Sequence, residues 1–356
     1  MDKLTFERRR ERVRSLMRRE GLAALLVSLD ANRFYLSGFE LHDPQAGESS
    51  GCLVILADGK DWLCTDSRFF AAASRVWEEE RIFLYRESAP KQVGGLLRDK
   101  AHGVTGFEAR HVSVEYFDLL SPGLSLRRAD GLVEGLRAVK EPEELRLLDA
   151  ACRLNHRLMD RMPGILAPGQ SEADLARGIE RFFRDNGAQE LAFASIVAVG
   201  ANAALPHAIP GQDCLGENCG ILIDVGCRVE DYCSDQTRSF WVGDTPDVQW
   251  SRHLDLIRAA QERAILAIRP GAAMSGIYGA ARKYLEDAGV GELFTHGLGH
   301  GIGLQTHEAP SLNLSSEAVV RPGMVFTVEP GLYVPGSHGV RWEYMVQATE
   351  DGARVL

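Results

Sequence analysis

Four acids and a cluster of histidines in the C-terminal half of the chain have the types and spacing for hydrolytic chemistry. In GILIDVG, Asp224 closes an apolar run, where a carboxylate is costly to bury unless something pairs with it. DYCSDQTRSFWV places Asp235 eleven positions later, on the expected returning strand of a hairpin in which the two acids face each other. Close carboxylates repel, so they need a proton, an arginine or a metal between them. Arg238 makes a buried ion pair one reading of this segment. THGLGHGIGLQTHE adds His296, His300 and His307, with Glu308 adjacent, among glycines at 297, 299, 301 and 303. Those glycines let the backbone approach a ligand closely and disfavour a long helix. Packing alone is a poor account of three histidines in twelve positions.

Two further acids follow. VFTVEPGLYV sets Glu329 at the end of an apolar strand, directly before Pro330, and GVRWEYMVQAT holds Glu343 two residues after Arg341, on the same face of one expected strand. A salt bridge from Arg341 to Glu343 or Glu329 is the ordinary alternative. Taken together, four isolated acids on apolar strands plus one histidine form an oxygen-rich site for two divalent ions. Oxygen-dominated ligation with one imidazole favours Mn²⁺ over a structural zinc site, with Co²⁺ and Zn²⁺ as alternatives. Two ions ~3.5–4 Å apart lower the pKa of a bridging water and polarise a carbonyl together, which is equipment for hydrolysis.

These positions need a scaffold, and the chain supplies two different ones. The first ~130 residues alternate helices and strands, as in an α/β domain. An Arg-rich helix with a solvated basic face leads into the apolar strand Ala23 to Ser28 and then the segment Phe34 to Leu36 before Gly38. Gly51 to Leu56 and Trp62 to Thr65 read as a hairpin, Phe69 to Trp77 as a helix and Ile82 to Tyr85 as a strand. The turn-rich stretch from Ser121 to Leu136 is the candidate linker, which sets boundaries of 1–130, a linker over 131–139 and a second domain over 140–356. Lys140-Glu141-Pro142 opens a long amphipathic helix through Leu147, Leu148, Ala151, Leu154 and Leu158, and Ser171 caps another. Helices around Leu254 to Ile268 and Gly276 to Ala288 follow, and the residues from Met324 onward alternate like antiparallel strands. Partial segregation of helices and strands marks this domain as α+β.

Composition narrows the function classes. The chain has 356 residues, 45% hydrophobic and 25% charged, with a net charge of −10, an acidic balance unlike the basic footprint of a nucleic-acid binder. No uninterrupted apolar run approaches the ~20 residues of a membrane-spanning helix. Seven scattered cysteines fit reduced thiols, buried or half-buried, better than a disulfide framework, and point to the cytoplasm.

The ordered set Asp224, Asp235, His300, Glu329 and Glu343, in these motif contexts, resembles the pita-bread metallopeptidases, and within them the aminopeptidase P and Xaa-Pro dipeptidase (prolidase) branch. Asn32 to Phe39 and the CTDSRFF stretch resemble that family's creatinase-like N-terminal domain, and Lys140 to Glu144 the start of its catalytic domain. The resemblance implies that Asp224 chelates one ion, that His300 and Glu329 bind mainly the other, and that Asp235 and Glu343 bridge both. It implies that His307 stabilises the tetrahedral intermediate, and that His207 contacts substrate or shuttles protons. It further implies that His296 and Phe193 line a proline pocket, that Arg341 holds the carboxylate network, and that Glu329 passes a proton to the leaving nitrogen. The implied partners are a proline-containing peptide and a second copy of the chain, whose N-terminal domain borders the active site. The chain departs from the family pattern at Tyr344 (often aspartate), Asp231 (usually glycine) and Thr306 (commonly Val or Ile), none of them a ligand. Methionine aminopeptidases share the fold and ligands, but the simple ones lack the N-terminal domain. Creatinase-type C–N hydrolases and non-catalytic peptide binders, such as the peptidase-like domain of a histone chaperone, lose the ligands.

Overall fold

The Arg-rich opening folds as the helix Lys3–Arg19, started by Asp2, whose carboxylate accepts from the Thr5 N–H. Its basic side is not uniformly solvated: Arg9 is 1% exposed, with its guanidinium 3.9 Å above the Tyr35 ring, and Arg10 stacks on Trp77. A long apolar stem and a weakly hydrated planar head let arginine be buried this way. The computed structural model describes residues 1–43 and 48–356, which divide into two units, Met1–Arg137 and Ala138–Leu356.

In the first unit a mixed six-stranded sheet runs in the order Ile82–Leu84, Trp62–Thr65, Cys52–Leu56, Ala24–Val27, Thr105–Phe107, Leu126–Arg128. The expected hairpin pairs Cys52 with Cys64 and Val54 with Trp62. Phe34 to Leu36 lies in the helix Asp30–Ser37, which ends on Gly38 at φ 74°. The turn-rich stretch read as a linker contributes the edge strand Leu126–Arg128 and the short helix Glu134–Arg137, so the first unit runs through Arg137.

The second unit is α+β. The helix Pro142–Ile165 starts on Pro142 behind Glu141, and with Glu172–Asp185 it covers the sheet Gln236–Val242, Cys219–Val225, Ile196–Val199. Helices Val248–Ala267 and Met274–Asp287 cover the sheet Glu308–Leu312, Gly299–Gly301, Val325–Val328, Tyr344–Ala348, Ala353–Val355. Ile221, Ile223 and Val225 pack toward the first helix pair, so the alternating residue Asp224 points to the other side of its sheet. Phe326 and Val328 pack toward the second pair, and the same alternation turns Thr327 and Glu329 away from it. Each fully buried Val, Leu, Ile or Phe in these layers contributes roughly 1.5–3 kcal/mol, which makes one register strongly preferred.

Candidate metal centre and substrate cavity

Strand register decides what Asp224 meets. Its direct cross-strand partner is Thr237, with Asp235 one residue before that strand begins and on the same face as Thr237. The two acids therefore stand diagonally rather than opposite each other. Arg238 alternates to the far side of the sheet and is no partner for either. Arg341 takes that place: its guanidinium donates to Asp224 Oδ2 at 2.6 Å, to Thr237 Oγ1 at 3.0 Å, to the Pro206 carbonyl at 3.0 Å and to Tyr333 Oη at 2.8 Å. Arg341 and Glu343 do not share a strand. Arg341 closes His338–Arg341 in a two-stranded hairpin, and Glu343 precedes Tyr344–Ala348 in the five-stranded sheet.

His300 sits in the three-residue strand Gly299–Gly301, squeezed between neighbours. A Cβ at position 299 would fall 2.0 Å from the Thr327 carbonyl oxygen, and one at 301 would fall 2.1 Å from that of Ala309. Only glycine fits on either side of this histidine. Its Nδ1 lies 3.1 Å from the Gly301 carbonyl, which can only accept, so the proton sits on Nδ1 and the Nε2 lone pair faces the acids. Nε2 is 3.3 Å from Glu329 Oε1 and 3.6 Å from Asp235 Oδ2. Asp235, His300 and Glu343 each offer a ligand atom within 4.8 Å of the others.

Electrostatics confirm a place that wants positive charge. Burial, reinforced by Glu343 and Asp224, pushes the Asp235 carboxyl well above the usual range, and burial with Glu329 and Asp224 does the same to Glu343. Burial lifts Glu329 to about 7. It lowers His300, and it takes His307 to about 4 with help from the His300 charge. Most telling, Asp224 Oδ1, Asp235 Oδ1 and Glu343 Oε1 are buried with no hydrogen-bond partner among the described residues. Buried polar atoms are nearly always satisfied, so three bare carboxylate oxygens in one pocket fit divalent cations.

The pocket is a cavity of about 520 Å³. All ten residues singled out from the sequence line it: Asp224, Asp235, His300, Glu329 and Glu343, together with Phe193, His207, His296, His307 and Arg341. His307 meets His300 edge to face, with ring centroids 4.2 Å apart. His296 gives its Nδ1 proton to the Gly297 carbonyl at 2.7 Å and accepts from Tyr333 Oη at 2.9 Å, and burial lowers its pKa to about 4. Glu308, next to His307, turns away to pair with Lys140 at 2.9 Å. Three supporting residues escaped the sequence reading. Thr237 Oγ1 donates to Glu343 Oε2 at 2.7 Å, Thr327 Oγ1 donates to Glu329 Oε1 at 3.0 Å, and Tyr333 links His296 to Arg341. The signal for both threonines was their position two residues from an acid, on the same strand face.

A cavity in the α+β unit, walled by acids that want cations and following an α/β unit, is the arrangement of a metal-dependent hydrolase. The chain belongs to metallopeptidase family M24, whose family model matches residues 146–350, and the creatinase/prolidase N-terminal domain matches residues 9–139. The two units are thus a creatinase-type N-terminal domain and a pita-bread catalytic domain. Among its relatives is a Xaa-Pro dipeptidase of Pyrococcus furiosus, 28% identical over 99% of this chain and 98% of the relative. A solved Xaa-Pro dipeptidase from Bacillus anthracis superimposes with a TM-score of 0.90 at 29% identity, over 98% of this chain and 97% of that one. An X-Pro aminopeptidase from Thermotoga maritima gives 0.81 at 29% identity, over 94% and 95%.

Proposed function

We propose that the chain is a dinuclear metal-dependent exopeptidase that hydrolyses the Xaa-Pro peptide bond, in a dipeptide or at the N-terminus of a longer peptide. The observation that carries this reading is one cavity lined by four carboxylates and an imidazole, with three buried carboxylate oxygens left bare. The Xaa-Pro peptidases among its relatives and structural neighbours support the substrate class. In this reading Asp224 would hold one ion, His300 and Glu329 mainly the other, and Asp235 and Glu343 would contribute to both. Mn²⁺ suits the oxygen-rich donor set best, with Co²⁺ and Zn²⁺ as alternatives. Bound there, the ions would supply Lewis acidity toward the scissile carbonyl and ease deprotonation of the attacking water.

The remaining chemistry belongs to the side chains. The nitrogen of the scissile bond is proline's own, a tertiary amide nitrogen, and it leaves as a secondary amine, so it has to receive a proton as the bond breaks. Glu329, which lines the cavity beside His300, is placed to take a proton from the attacking water and return it to that nitrogen. His307, neutral at physiological pH, is placed to donate to the oxygen that becomes anionic in the tetrahedral intermediate. His207, exposed at the rim of the cavity, contacts substrate or relays protons. Phe193 and His296 hold the pyrrolidine ring, and Arg341 keeps Asp224 in its ligating orientation.

The same reading makes the protein a cytoplasmic homodimer. Seven free thiols suit a reducing compartment. Leu205 and Ile209, 58% and 85% exposed beside the cavity-lining residues Pro206 and His207, offer an apolar lip for a second copy to cover and so narrow the entrance. Light scattering across a dilution series tests this, and a fully active monomer overturns it. Product analysis on Ala-Pro beside Ala-Pro-Ala with Mn²⁺ tests the function. Cleavage of the dipeptide alone assigns a prolidase, and release of alanine from the tripeptide assigns an aminopeptidase P. Inertness toward both overturns the Xaa-Pro reading.

A further inference from the structure

Arg238 is a buried charge to which the chemistry above gives no role. Asp224 faces Thr237 across the strand pair, so alternation turns Arg238 to the other side of the sheet, behind Glu343. It is 6% exposed, and among the described residues no carboxylate pairs with it. Its Nη1 donates instead to two backbone carbonyls, those of Thr237 (2.8 Å) and Glu343. The guanidinium lies 4.3 Å from the Trp342 ring centroid and 4.0 Å from that of Tyr344, and Arg258 stacks on Trp342 as well, at 4.8 Å. Trp342 and Tyr344 flank Glu343 in sequence, so as that carboxylate enters the cavity its neighbours reach back to grip the arginine.

The location gives these contacts a purpose. Thr237 belongs to the three-stranded sheet that presents Asp224 and Asp235, and Glu343 leads into the five-stranded sheet that presents His300 and Glu329. The five acid and imidazole groups come from two separate sheets, and their spacing depends on how those sheets sit at this junction. One guanidinium nitrogen bonds a carbonyl on each side of it. We propose that Arg238, gripped between Trp342 and Tyr344, is a positioning residue that sets Glu343 against Asp224 and Asp235 and so fixes the spacing of the two halves of the metal site. The Trp342 face attracts the guanidinium without accepting a hydrogen bond, which leaves Nη1 to the two carbonyls. A carboxylate at position 344 would instead draw the guanidinium into a forked ion pair. Lysine, a compact and strongly hydrated charge with no plane to stack, is a poor substitute.

The proposal rests on the dinuclear reading of the cavity. The test is calorimetric titration of Mn²⁺ into the metal-free full-length wild type and into Arg238→Lys, Tyr344→Leu and Tyr344→Phe, with the metal-free melting temperature of each. Arg238→Lys and Tyr344→Leu are expected to bind Mn²⁺ about 10–100-fold more weakly, as for other partners that orient ligands. Tyr344→Phe keeps the ring and is expected to bind like wild type, and all three are expected to melt like wild type without metal. Wild-type affinity in Arg238→Lys overturns the role of Arg238, as does a loss of affinity matched by a lower metal-free melting temperature. A Tyr344→Phe as weak as Tyr344→Leu overturns the grip by the ring. Absence of Mn²⁺ binding in the wild type overturns both this proposal and the dinuclear reading.

Discussion

Replacing Thr237 with valine conserves side-chain volume and deletes one buried hydroxyl behind the cavity-lining Glu343 and Arg341. That hydroxyl donates to Glu343 Oε2 at 2.7 Å and accepts from Arg341 Nε at 3.0 Å, in a fully buried residue. A hydrogen bond to a charged group contributes about 1.5–3 kcal/mol, and this one supports the ionised form of Glu343, which is the form that holds a cation. At about 1.4 kcal/mol per factor of ten, Thr237→Val is expected to bind Mn²⁺ roughly 10–100-fold more weakly. The dependence on pH has a definite sign. Burial raises the Glu343 pKa and the Thr237 hydroxyl opposes that rise, so its loss raises the pKa further. Cations then compete with a proton up to higher pH, which makes the deficit largest in acid and smaller as pH rises. Arg341 Nε also loses its acceptor, at a cost of about 1–3 kcal/mol visible in the metal-free melting temperature. Calorimetric titration with Mn²⁺ from mildly acidic to mildly alkaline pH reads the first effect, and thermal unfolding the second. Wild-type affinity at the acid end, or a deficit independent of pH, refutes the reasoning.

Three further outcomes are expected. Glu343→Ala should lose most metal and most activity; a wild type that retains no ion after Mn²⁺ is resupplied contradicts the dinuclear reading. His307→Ala should lower turnover ~10²–10³-fold with metal content unchanged, whereas equal loss of both makes His307 a ligand. In the first unit, burial lifts Glu108 to about 7 against donation from the Leu29 and Ser28 N–H groups and Asn32. The folded chain therefore keeps a proton that the unfolded chain releases near its ordinary value of 4.5. Stability supplied by that proton is complete below the unfolded value and is lost as pH rises through about 7, by about 3 kcal/mol in all. Denaturant unfolding of wild type and Glu108→Gln should diverge across that window, and parallel curves refute the assignment.

Strand alternation made much of the scaffold legible before any coordinates. The apolar runs that end at Asp224 and Glu329 marked both acids as lying on buried strands, and the burial of Ile223 and Val328 agrees, while the face each acid takes came from the packing of those strands on the helices. The helix over Pro142–Ile165 was readable from its apolar spacing and its N-terminal proline. Phe34 to Leu36 was not, because a three-residue apolar segment is too short to show a period, and its helix is completed by buried polar residues such as Asn32 and Arg33. The edge strand Leu126–Arg128 was hidden for a related reason: it lies largely exposed, in turn-rich sequence, and owes its existence to pairing with Thr105–Phe107.

Pairing across the site was decided elsewhere. Residue types alone offered Arg238 to the acids of its own hairpin and Arg341 to Glu343 or Glu329. In the folded chain Arg341 serves Asp224, and Arg238 lies behind the sheet between two rings. The identity of a donor's partner is a long-range quantity: Arg341 and Asp224 are 117 residues apart, and Thr237 and Glu343 are 106 apart. Local periodicity determines which face a side chain takes, and the amino-acid sequence displays it directly. Which faces meet depends on how two sheets and their covering helices close around a common cavity. Hydrophobic burial summed over both helix layers sets that closure, and no single segment encodes it.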